Sequence, residues 1–455
     1  MKSTPILFTL LASGASWAGC ASHDDDVHSE SHDAHTTDGA DVDHSGGDHT
    51  EGSDASGGDH AGEVVLTEAE IRFGCLPMGT GEAAHVMCNH GHSLSFRSEN
   101  LYERYEYLTA LGRTDLTEAD LMMGSAPMSG MAGDAETGLP DPLTPLLEAT
   151  VGERVRIRLL SYGPEMHDFH VHGHVWKEGA FWKDTEPLMP AQVYDGVEFY
   201  AGAGADDPTP RSGPGDWMYH CHVEPHIASG MWGLFRVRDV GDDAGLDGGR
   251  YADELPSAVG GPGETVDFWL VAAEVPVGVT REFIPGMDGL ITVERKARIY
   301  VPLPDEATFV AATAQSIRER LMPELEQVQP AALVVRLGTR MRVHLRNVMD
   351  EAPATLHPHG VAYAVDQDGS MPDDVAWPGG APILQEWLAD TPGTWPLHDH
   401  ARTLENLSRG LFGAIVVKTP EEEARLDRDY LLVFHDFDMN WFMGYEGPPI
   451  VSGGH

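Results

Sequence analysis

The interpretation of this sequence depends on one stretch, Trp217-Met-Tyr-His220-Cys221-His222-Val-Glu-Pro-His226-Ile-Ala-Ser-Gly-Met231. Copper prefers thiolate, imidazole and thioether ligands, and two His, one Cys and a weak axial Met make a blue-copper site. The first half of the stretch is rich in strand-forming residues, and side chains alternate between the two faces of a strand. We therefore expect His220 and His222 on one face and Cys221 on the other, so that one strand serves two metal sites. The alternative is a buried cysteine among incidental histidines.

A second part of the chain repeats this pattern. The histidine pairs of the two copies correspond as follows: His170-Val-His172-Gly to His357-Pro-His359-Gly, and His220-Cys-His222 to His398-Asp-His400. The candidate blue-copper ligands are not repeated, because the second copy replaces His167, Cys221, His226 and Met231 by Ala354, Asp399, Asn406 and Leu411. Histidines at positions i and i+2 of a strand share a face, so facing pairs from two domains can enclose several metals. The pattern indicates that eight histidines act together and that the blue-copper site is needed once.

These motifs resemble those of the multicopper oxidases, and most closely those of the two-domain small laccases. The resemblance covers about 141–240 and 264–440. It implies an all-β fold of two cupredoxin-like Greek-key β-sandwich domains, in line with a composition rich in Gly and Pro that favours strands and turns. It also implies four copper ions per functional unit, one of type 1, one of type 2 and a type 3 pair.

The resemblance assigns the ligands position by position. The type 1 ligands are expected to be His167, Cys221, His226 and, in the axial position, Met231; the type 2 ligands His170 and His357; and the type 3 ligands His172, His220, His222, His359, His398 and His400. His174 matches a position that is normally not a ligand. The family usually assembles as a homotrimer with the cluster between subunits. A homotrimer is therefore expected. Here the type 1 domain comes first rather than last, and this reversed order makes a cluster inside one chain the alternative.

Two further residues match catalytic positions of small laccases. Asp368 is expected to relay protons to reduced oxygen, and Tyr363 to supply an electron. Asp366 competes with Asp368 for the proton role. The alternative is that Asp368 and Tyr363 are ordinary turn and surface residues.

The function implied is that of a laccase-like oxidase, which couples one-electron oxidation of phenols or aromatic amines to the four-electron reduction of O2 to water. A periplasmic Cu(I) oxidase for copper tolerance is the alternative, suggested by Met122, Met123, Met128 and Met131 and by a His-rich segment. A copper nitrite reductase lacks the type 3 pair and does not need all four histidine pairs. A copper carrier does not need Cys221 connected to a histidine cluster.

The net charge of the chain bears on which classes of molecule it can bind. The chain has 29 Lys and Arg against 73 Asp and Glu, a formal net charge of −44. This disfavours nucleic acid, whose phosphates need basic contacts, and favours attraction of cations. Residues 21–62 hold seven His, twelve acidic residues and no Lys or Arg. Such a segment buries too little apolar surface to offset its ordering entropy, so we predict a disordered tether, with copper gathering as a second possible role.

The remaining segments complete the predicted organisation: a signal peptide at 1–20, the tether at 21–62, an N-terminal extension with a Met-rich loop at 63–140, domains at 141–240 and 264–440, a linker at 241–263 and a tail at 441–455. Small residues before Cys20 resemble a lipoprotein cleavage site, so an extracytoplasmic location is expected, with either a lipid anchor at Cys20 or plain secretion. Cys75 and Cys88 are expected to form a disulfide or to remain free thiols. His90 and His92 form one more histidine pair, which is a weak signal alone.

Overall fold

The computed structural model describes residues 75–78, 85–88, 92–114, 116, 118–122, 141–204, 206–209, 212–239, 254–283, 286, 289–370 and 374–436. The predicted signal peptide, tether and tail lie outside these residues, as do residues 123–132 of the Met-rich loop and residues 241–253 of the linker. Strands dominate the described residues, which confirms the all-β fold. None of the described helices combines the length and the apolar character needed to cross a membrane.

The first half of the chain contains thirteen described strands. They are β1 Cys75–Met78, β2 His85–Cys88, β3 His92–Leu94, β4 Arg97–Ser98, β5 Leu146–Thr150, β6 Arg154–Tyr162, β7 His167–Val171, β8 Trp176–Glu178, β9 Phe181–Lys183, β10 Thr185–Leu188, β11 Val193–Tyr200, β12 Gly215–Cys221 and β13 Trp232–Arg238. The helices are α1 Leu101–Ala110, α2 Glu118–Leu121 and α3 Glu224–Ala228. Asn100 caps α1 by accepting a hydrogen bond from the backbone N–H of Glu103, which satisfies a donor that the helix leaves free.

The described residues of the second half form nine strands. They are β14 Thr265–Phe283, β15 Leu290–Leu303, β16 Ala331–Arg336, β17 Arg340–Asn347, β18 His357–Pro358, β19 Ile383–Leu388, β20 Gly393–His398, β21 Phe412–Lys418 and β22 Arg428–Asp436. The helices are α4 Glu306–Ala311, α5 Ala314–Leu321, α6 Thr403–Ser408 and α7 Pro420–Arg425, with 3₁₀ turns at Met322–Gln327 and Val365–Gln367.

Two β-sandwiches result from these strands. In the first, the sheet β10-β7-β12-β13-β5 packs on β11, β6, β22 and β3. In the second, the sheet β16-β21-β20-β18 packs on β14, β17 and β19. Alternation along the strands fills both cores, as in β17, where Met341, Val343 and Leu345 point inward and the residues between them are more exposed. This is the cupredoxin architecture that the sequence predicts.

Strand β22 connects the two halves. It follows the second sandwich in sequence but pairs in parallel with β6 and antiparallel with β3, inside the first sandwich. The predicted segment 264–440 therefore contains a strand that completes the other sandwich. The other predicted boundaries stay predictions.

Backbone pairing also bears on the predicted disulfide. Strands β1 and β2 are antiparallel, and Cys75 and Cys88 are opposite each other in their register. The disulfide itself stays a prediction.

The sandwiches meet at Tyr162, the last residue of β6. Its hydroxyl donates to the carbonyl of Gly413 at 2.8 Å and accepts from the N–H of Leu397 at 3.1 Å. Its ring stacks on Phe412, with centroids 4.3 Å apart. Arg158 on the same strand binds Asp429 at 2.7 Å and Thr394 at 3.2 Å. These bonds hold the first sandwich against the strands β20 and β21, which carry part of the second histidine set.

Replacing Tyr162 by Phe should destabilise the protein. The ring is kept, but buried backbone groups of Leu397 and Gly413 lose a hydrogen-bond partner, which costs about 1–3 kcal/mol. Denaturant unfolding should show this decrease in the free energy of unfolding, while Tyr105→Phe on α1 serves as control. An unchanged value for Tyr162→Phe would contradict the role given to this hydroxyl.

Candidate metal centres

Three side chains converge in the core of the first sandwich. His167 begins β7, Cys221 ends β12 and His226 lies in α3. The Cys221 Sγ atom lies 3.5 Å from Nδ1 of His226 and 4.0 Å from Nδ1 of His167, and the two Nδ1 atoms are 3.2 Å apart. All three residues are buried. A thiol and two imidazoles that aim their donor atoms at one point fit a copper ion of the blue type.

The fourth expected ligand, Met231, lies beside this group. Met231 is fully buried in the same core cluster as Cys221. Its N–H donates to the carbonyl of His226 at 2.8 Å, and its carbonyl accepts from the N–H of Cys221 at 3.0 Å. These two bonds close the loop between β12 and β13, so one short segment positions three of the four residues. Their function as type 1 ligands stays a prediction.

Burial favours the neutral forms of His167 and Cys221. Burial, with the nearby His226 and His92, lowers the pKa of His167 to about 3, and burial raises the pKa of the Cys221 thiol to about 11. A metal at this position therefore binds a neutral imidazole and displaces a proton from the thiol.

A second group of histidines lies on the other face of the same strands. His170 and His172 come from β7 and the turn after it, and His220 and His222 flank Cys221. Nε2 of His172 is 3.2 Å from Nε2 of His220. Nδ1 of His170 donates to the carbonyl of Asp184 at 2.7 Å, and Nδ1 of His220 to that of Cys221 at 2.9 Å. Bonds of this kind orient a metal-binding imidazole and leave Nε2 for the metal.

The second sandwich reproduces this arrangement. His357 and His359 belong to β18 and its turn, and His398 and His400 to the end of β20. Nε2 of His359 is 3.1 Å from Nε2 of His398. Nδ1 of His357 donates to the carbonyl of Asp368 at 2.8 Å, and Nδ1 of His398 donates to the carbonyl of the next residue at 3.0 Å. Both copies therefore use equivalent hydrogen bonds to aim equivalent nitrogens.

The two histidine sets remain separate in the described chain. Ring contacts connect the members of the first set to one another and the members of the second set to one another. Among the described residues, no hydrogen bond or ring contact joins a histidine of one set to a histidine of the other. Each set alone is half of the expected eight-histidine cluster.

Burial also affects the protonation of both sets. It lowers the pKa of His220 to about 4 and that of His398 to about 4, although a backbone carbonyl bound to each ring opposes the decrease. The neighbouring histidines add to the effect, because a second positive charge nearby is unfavourable. Neutral imidazoles are the form that binds metal.

In the second sandwich, the position that corresponds to the blue-copper site holds a buried, hydrogen-bonded aspartate. Asp399 is fully buried, and its carboxylate accepts from Thr355 N at 2.8 Å, Arg402 N at 2.8 Å and Asn406 Nδ2 at 2.9 Å. Ala354 and Leu411 close the same space. The sequence substitutions thus correspond to a polar core that holds no soft ligand.

The two predicted catalytic residues lie beside the second set. The Asp368 carboxylate is 3.6 Å from Nδ1 of His357 and accepts from the hydroxyl of Ser370. The Ser370 bond outweighs burial and lowers the pKa of Asp368, to which Tyr363 and the charges of the histidines also contribute. Tyr363 is 37% exposed. Asp366 lies in an exposed 3₁₀ turn. Catalytic functions for Asp368 and Tyr363 stay predictions.

His174 has a structural role. It is buried, its Nδ1 donates to the carbonyl of His172 at 2.8 Å, and its Nε2 accepts from Gly202 N at 2.9 Å. Both ring nitrogens are thus occupied, as expected for a residue that is not a ligand.

Three residues near the blue-copper position have no clear signal in the sequence. Nε2 of His226 is 3.1 Å from Glu165 Oε2, and Nε2 of His167 is 3.7 Å from Asp436 Oδ1. His92 stacks on His226 with ring centroids 3.9 Å apart. Hydrogen bonds from His226 and His92 hold the pKa of Glu165 far below its usual range, whereas burial raises that of Asp436 to about 8. His92 was visible only as half of a weak pair, and nothing in the sequence marked the two carboxylates.

Replacing Cys221 by Ser should abolish the blue-copper site alone. A hydroxyl of similar size keeps the packing but is a poor ligand for copper. We expect the copper content to fall by about one ion per chain and the blue absorption to disappear, as measured by elemental analysis and visible spectroscopy. His344→Ala, outside all three groups, should change neither. Retention of the blue band in the serine variant would contradict the ligand assignment.

Comparison with known proteins supports the copper chemistry of this geometry. Residues 114–241 and 319–422 each match a family described as multicopper oxidase, and together they are about half of the chain. A probable nitrite reductase-hydroxylamine oxidoreductase fusion protein of Kuenenia stuttgartiensis is 29% identical over 34% of this chain and 19% of its own length. Iron multicopper oxidase fer1 of Mycosarcoma maydis is 30% identical over 24% of this chain and 19% of its own length.

The chain also matches a human protein and a solved laccase structure. Human hephaestin is 29% identical over 25% of this chain and 13% of its own length. A laccase structure from Pediococcus acidilactici shares 15% identity over 38% of this chain and 32% of that chain, with a TM-score of 0.21. The chain thus spans a fifth or less of the length of these three curated relatives. With two matched domains and histidine sets in both, the chain belongs to the multicopper oxidase family.

Proposed function

We propose that this oxidoreductase is a laccase-like oxidase that reduces O2 to water with electrons from a small reducing substrate. The observation that carries the proposal is the position of Cys221 between His220 and His222 at the end of β12. The Cys221 side chain joins the buried blue-copper group, while its neighbours join the first histidine set. The second set preserves four further histidines without a second blue-copper group. A nitrite reductase or a copper carrier has no use for that combination.

Copper is the cofactor of this family, and when bound it supplies one-electron transfer and the reduction of oxygen. We assign one ion to His167, Cys221, His226 and Met231, and three to the eight remaining histidines. The protein positions the imidazoles through carbonyl groups of Asp184, Cys221, Asp368 and Asp399. It keeps the blue-copper group away from water, since Cys221 and His167 are fully buried. The backbone from Cys221 to its neighbours is a covalent connection of one residue between the two groups.

Oxygen uptake is the direct test. Copper-loaded protein should consume O2 in the presence of a phenol, at a rate proportional to its copper content. Nitrite consumption without oxygen uptake would contradict the oxidase function and favour a nitrite reductase.

We propose that a second copy of the chain completes the cluster in a homotrimer. The separation of the two histidine sets supports this, because neither set meets the other in the described chain. Large apolar side chains are also exposed in both halves of the chain: Phe181 is 76% and Trp182 is 56% exposed in the first, and Trp377 is 61% exposed in the second. Contact with another subunit would bury side chains of this kind.

Mixed subunits should reveal where the cluster forms. His220→Ala damages the first set and His398→Ala the second, so each variant alone should be inactive. When the two variants are co-expressed in equal amounts, an intact first set from one chain can meet an intact second set from another. In a randomly assembled three-membered ring this happens at one interface in four, so oxygen uptake per chain should reach roughly a quarter of the wild-type value.

The control for this experiment combines both substitutions in one chain. Co-expression of the double variant with wild type shows how much activity wild-type chains retain in mixed assemblies. If co-expressed single variants stay inactive while the controls assemble normally, the cluster lies within one chain and the trimer proposal is wrong.

We propose that Asp368 delivers protons to the cluster. Its position 3.6 Å from Nδ1 of His357 and its bond to Ser370 support this function. Asp368→Asn keeps the shape and removes the acid, so kcat for oxygen reduction should fall about 10²-fold or more at unchanged copper content. Asp366→Asn is the matched control and should have little effect. The reverse result would assign the proton to Asp366.

The reducing substrate has two candidate classes. Phenols and aromatic amines are the first, from the resemblance to laccases. Metal ions such as Cu(I) are the second, and the burial of His226 favours them, since this residue is only 4% exposed beneath His92. A bulky aromatic ring cannot contact a ligand covered in this way. Oxygen uptake with a phenol and with a metal ion, side by side, separates the classes.

We also propose an extracytoplasmic location, with a lipid on Cys20 as the anchor. The apolar run and the small residues before Cys20 support it. Metabolic labelling with a fatty acid should mark the wild type and not Cys20→Ala.

A further inference from the structure

A segment from outside the first sandwich packs against the loop that carries three of the four blue-copper residues. The loop runs from Cys221 to Met231, and we call it the ligand loop. The segment belongs to the N-terminal extension and comprises residues 97–104, which form β4 and the first turn of α1; we call it the strap. The copper chemistry proposed above assigns no function to any residue of the strap.

The strap contacts the ligand loop at Gly230. The backbone of Gly230 is in the left-handed region, with a φ of +109°, which favours glycine. A Cβ atom added there would lie 2.7 Å from the backbone N of Glu99 and 2.9 Å from its carbonyl carbon. Both distances are too short for packed atoms, so the two backbones approach as closely as only glycine permits. Gly230 directly precedes Met231, and the contact therefore restricts the chain at the expected axial ligand.

Two hydrogen bonds hold the strap at this point. The hydroxyl of Ser98 donates to the carbonyl of Ser229 at 3.0 Å. The indole N–H of Trp232, the residue after Met231, donates to the carbonyl of Glu99 at 2.7 Å. All of these groups are buried, so each bond also satisfies a polar atom that water does not reach. The strap is thus bonded to the chain on both sides of Met231.

A buried ion pair fixes the strap itself. The carboxylate of Glu99 binds the guanidinium of Arg104 in α1, and neither side chain is exposed. The same carboxylate accepts a hydrogen bond from the N–H of Leu143 at 2.6 Å and lies 3.3 Å from Nη1 of Arg281. Loss of one partner of a buried charge is strongly unfavourable. Glu99 therefore cannot move away from Gly230 without breaking several bonds at once.

Arg281 connects this contact to the second sandwich. It belongs to β14, which pairs with β17 over Thr265–Ala272 and with β4 at Val279 and Thr280. A strand of 19 residues spans about 60 Å. One end of β14 is therefore part of the second sandwich, and its other end lies beside the strap. Both halves of the chain thus contribute to the position of the ligand loop.

The axial position is the one that needs such support. In a blue-copper site the bond from the metal to the axial thioether is long and weak, and the axial ligand tunes the reduction potential. Because a weak bond does not fix its own length, the backbone around the methionine has to fix it. The contacts at Ser229, Gly230 and Trp232 restrain the backbone immediately before and after Met231.

We propose that Ser98, Glu99 and Arg281 are positioning residues, which hold Met231 in the axial position and thereby set the reduction potential of the blue copper. The proposal rests on the ligand assignment made under the proposed function. When the strap is loosened, the Met231 thioether donates less electron density to the oxidised metal, which needs it more than the reduced metal does. The reduced form is then favoured, and the potential rises.

The test is a redox titration of the copper-loaded full chain, followed through the blue absorption. Gly230→Ala forces the ligand loop and the strap apart, and Glu99→Gln removes the charge that both arginines bind. In each variant the ratio of reduced to oxidised blue copper at a fixed potential should rise about tenfold, a shift of about 59 mV for one electron. Ser98→Ala leaves the buried ion pair intact and should shift the ratio in the same direction by less. This milder variant decides the question if the other two do not fold.

Two matched controls separate positioning from general effects. Gly112 follows α1 as Gly230 follows α3, its φ is +82°, and an added Cβ atom meets nothing within 4 Å. Gly112→Ala therefore reproduces the backbone strain without the contact. Ser408 donates to the carbonyl of Leu404 at 2.7 Å in α6, the helix of the second sandwich that corresponds to α3. Gly112→Ala and Ser408→Ala should both keep the wild-type potential.

The outcomes distinguish this proposal from the proposed function. A wild-type potential in folded, copper-loaded Gly230→Ala and Ser98→Ala would overturn the role of the strap, and so would equal shifts in the two controls. Wild-type protein without any blue band would contradict the ligand assignment and, with it, this proposal. The titration needs no O2 uptake. A blue band that shifts as expected in protein that consumes no O2 would therefore support the strap and contradict the oxidase function.

Discussion

The alternation of side chains along β12 is the constraint on which this protein depends. A strand between two faces sends Cys221 into the core and its two neighbours to the opposite surface. Because the three residues are consecutive, the distance between the buried group and the first histidine set is fixed by covalent geometry rather than by packing. A shift of one residue in the pairing of β12 with β7 would exchange the faces and destroy both groups at once. The register Tyr219–Val171 and Cys221–Phe169 therefore has to be specific.

The second sandwich has the same strand arrangement as the first but has no blue-copper group on its core side. Its surface histidines keep their hydrogen bonds to carbonyl groups, so the surface of β18 and β20 is preserved. On the core side, Asp399 and Asn406 bind each other and the backbone. A buried aspartate is costly unless each oxygen has a partner, and here each has at least one. In the second sandwich, hydrogen bonds of Asp399 and Asn406 therefore occupy the position of the blue-copper group, together with apolar side chains.

Much of this could be predicted from the sequence, because strand alternation and ligand chemistry are local. The eight histidines, Cys221, His226 and Met231 are predicted from spacing within short segments. In the structure they lie in one group around Cys221 and in two separate histidine sets, and their function as ligands stays a prediction. Three polar residues near the blue-copper position could not be identified in this way. His92, Glu165 and Asp436 are far apart in sequence, and each looks like an ordinary polar residue until pairing of β22 with β3 and β6 brings them together. The exchange of β22 between the halves was missed for the same reason, since parallel pairing leaves no local signal.

The pairing of β22 has a consequence for the order of folding. Strand β6 has β11 on one side and β22 on the other, and β22 is separated from β6 by more than the whole second sandwich. During synthesis, strand β6 of the first sandwich therefore has an unpaired edge until the second sandwich and β22 have been made. An unpaired strand edge is prone to pair with other chains. Contacts of such long range also form slowly. Asp436, the last residue of β22, is also the last of the polar residues near the blue-copper position to be synthesised. A growing chain therefore contains His167, Cys221 and His226 before it contains the carboxylate that lies beside His167.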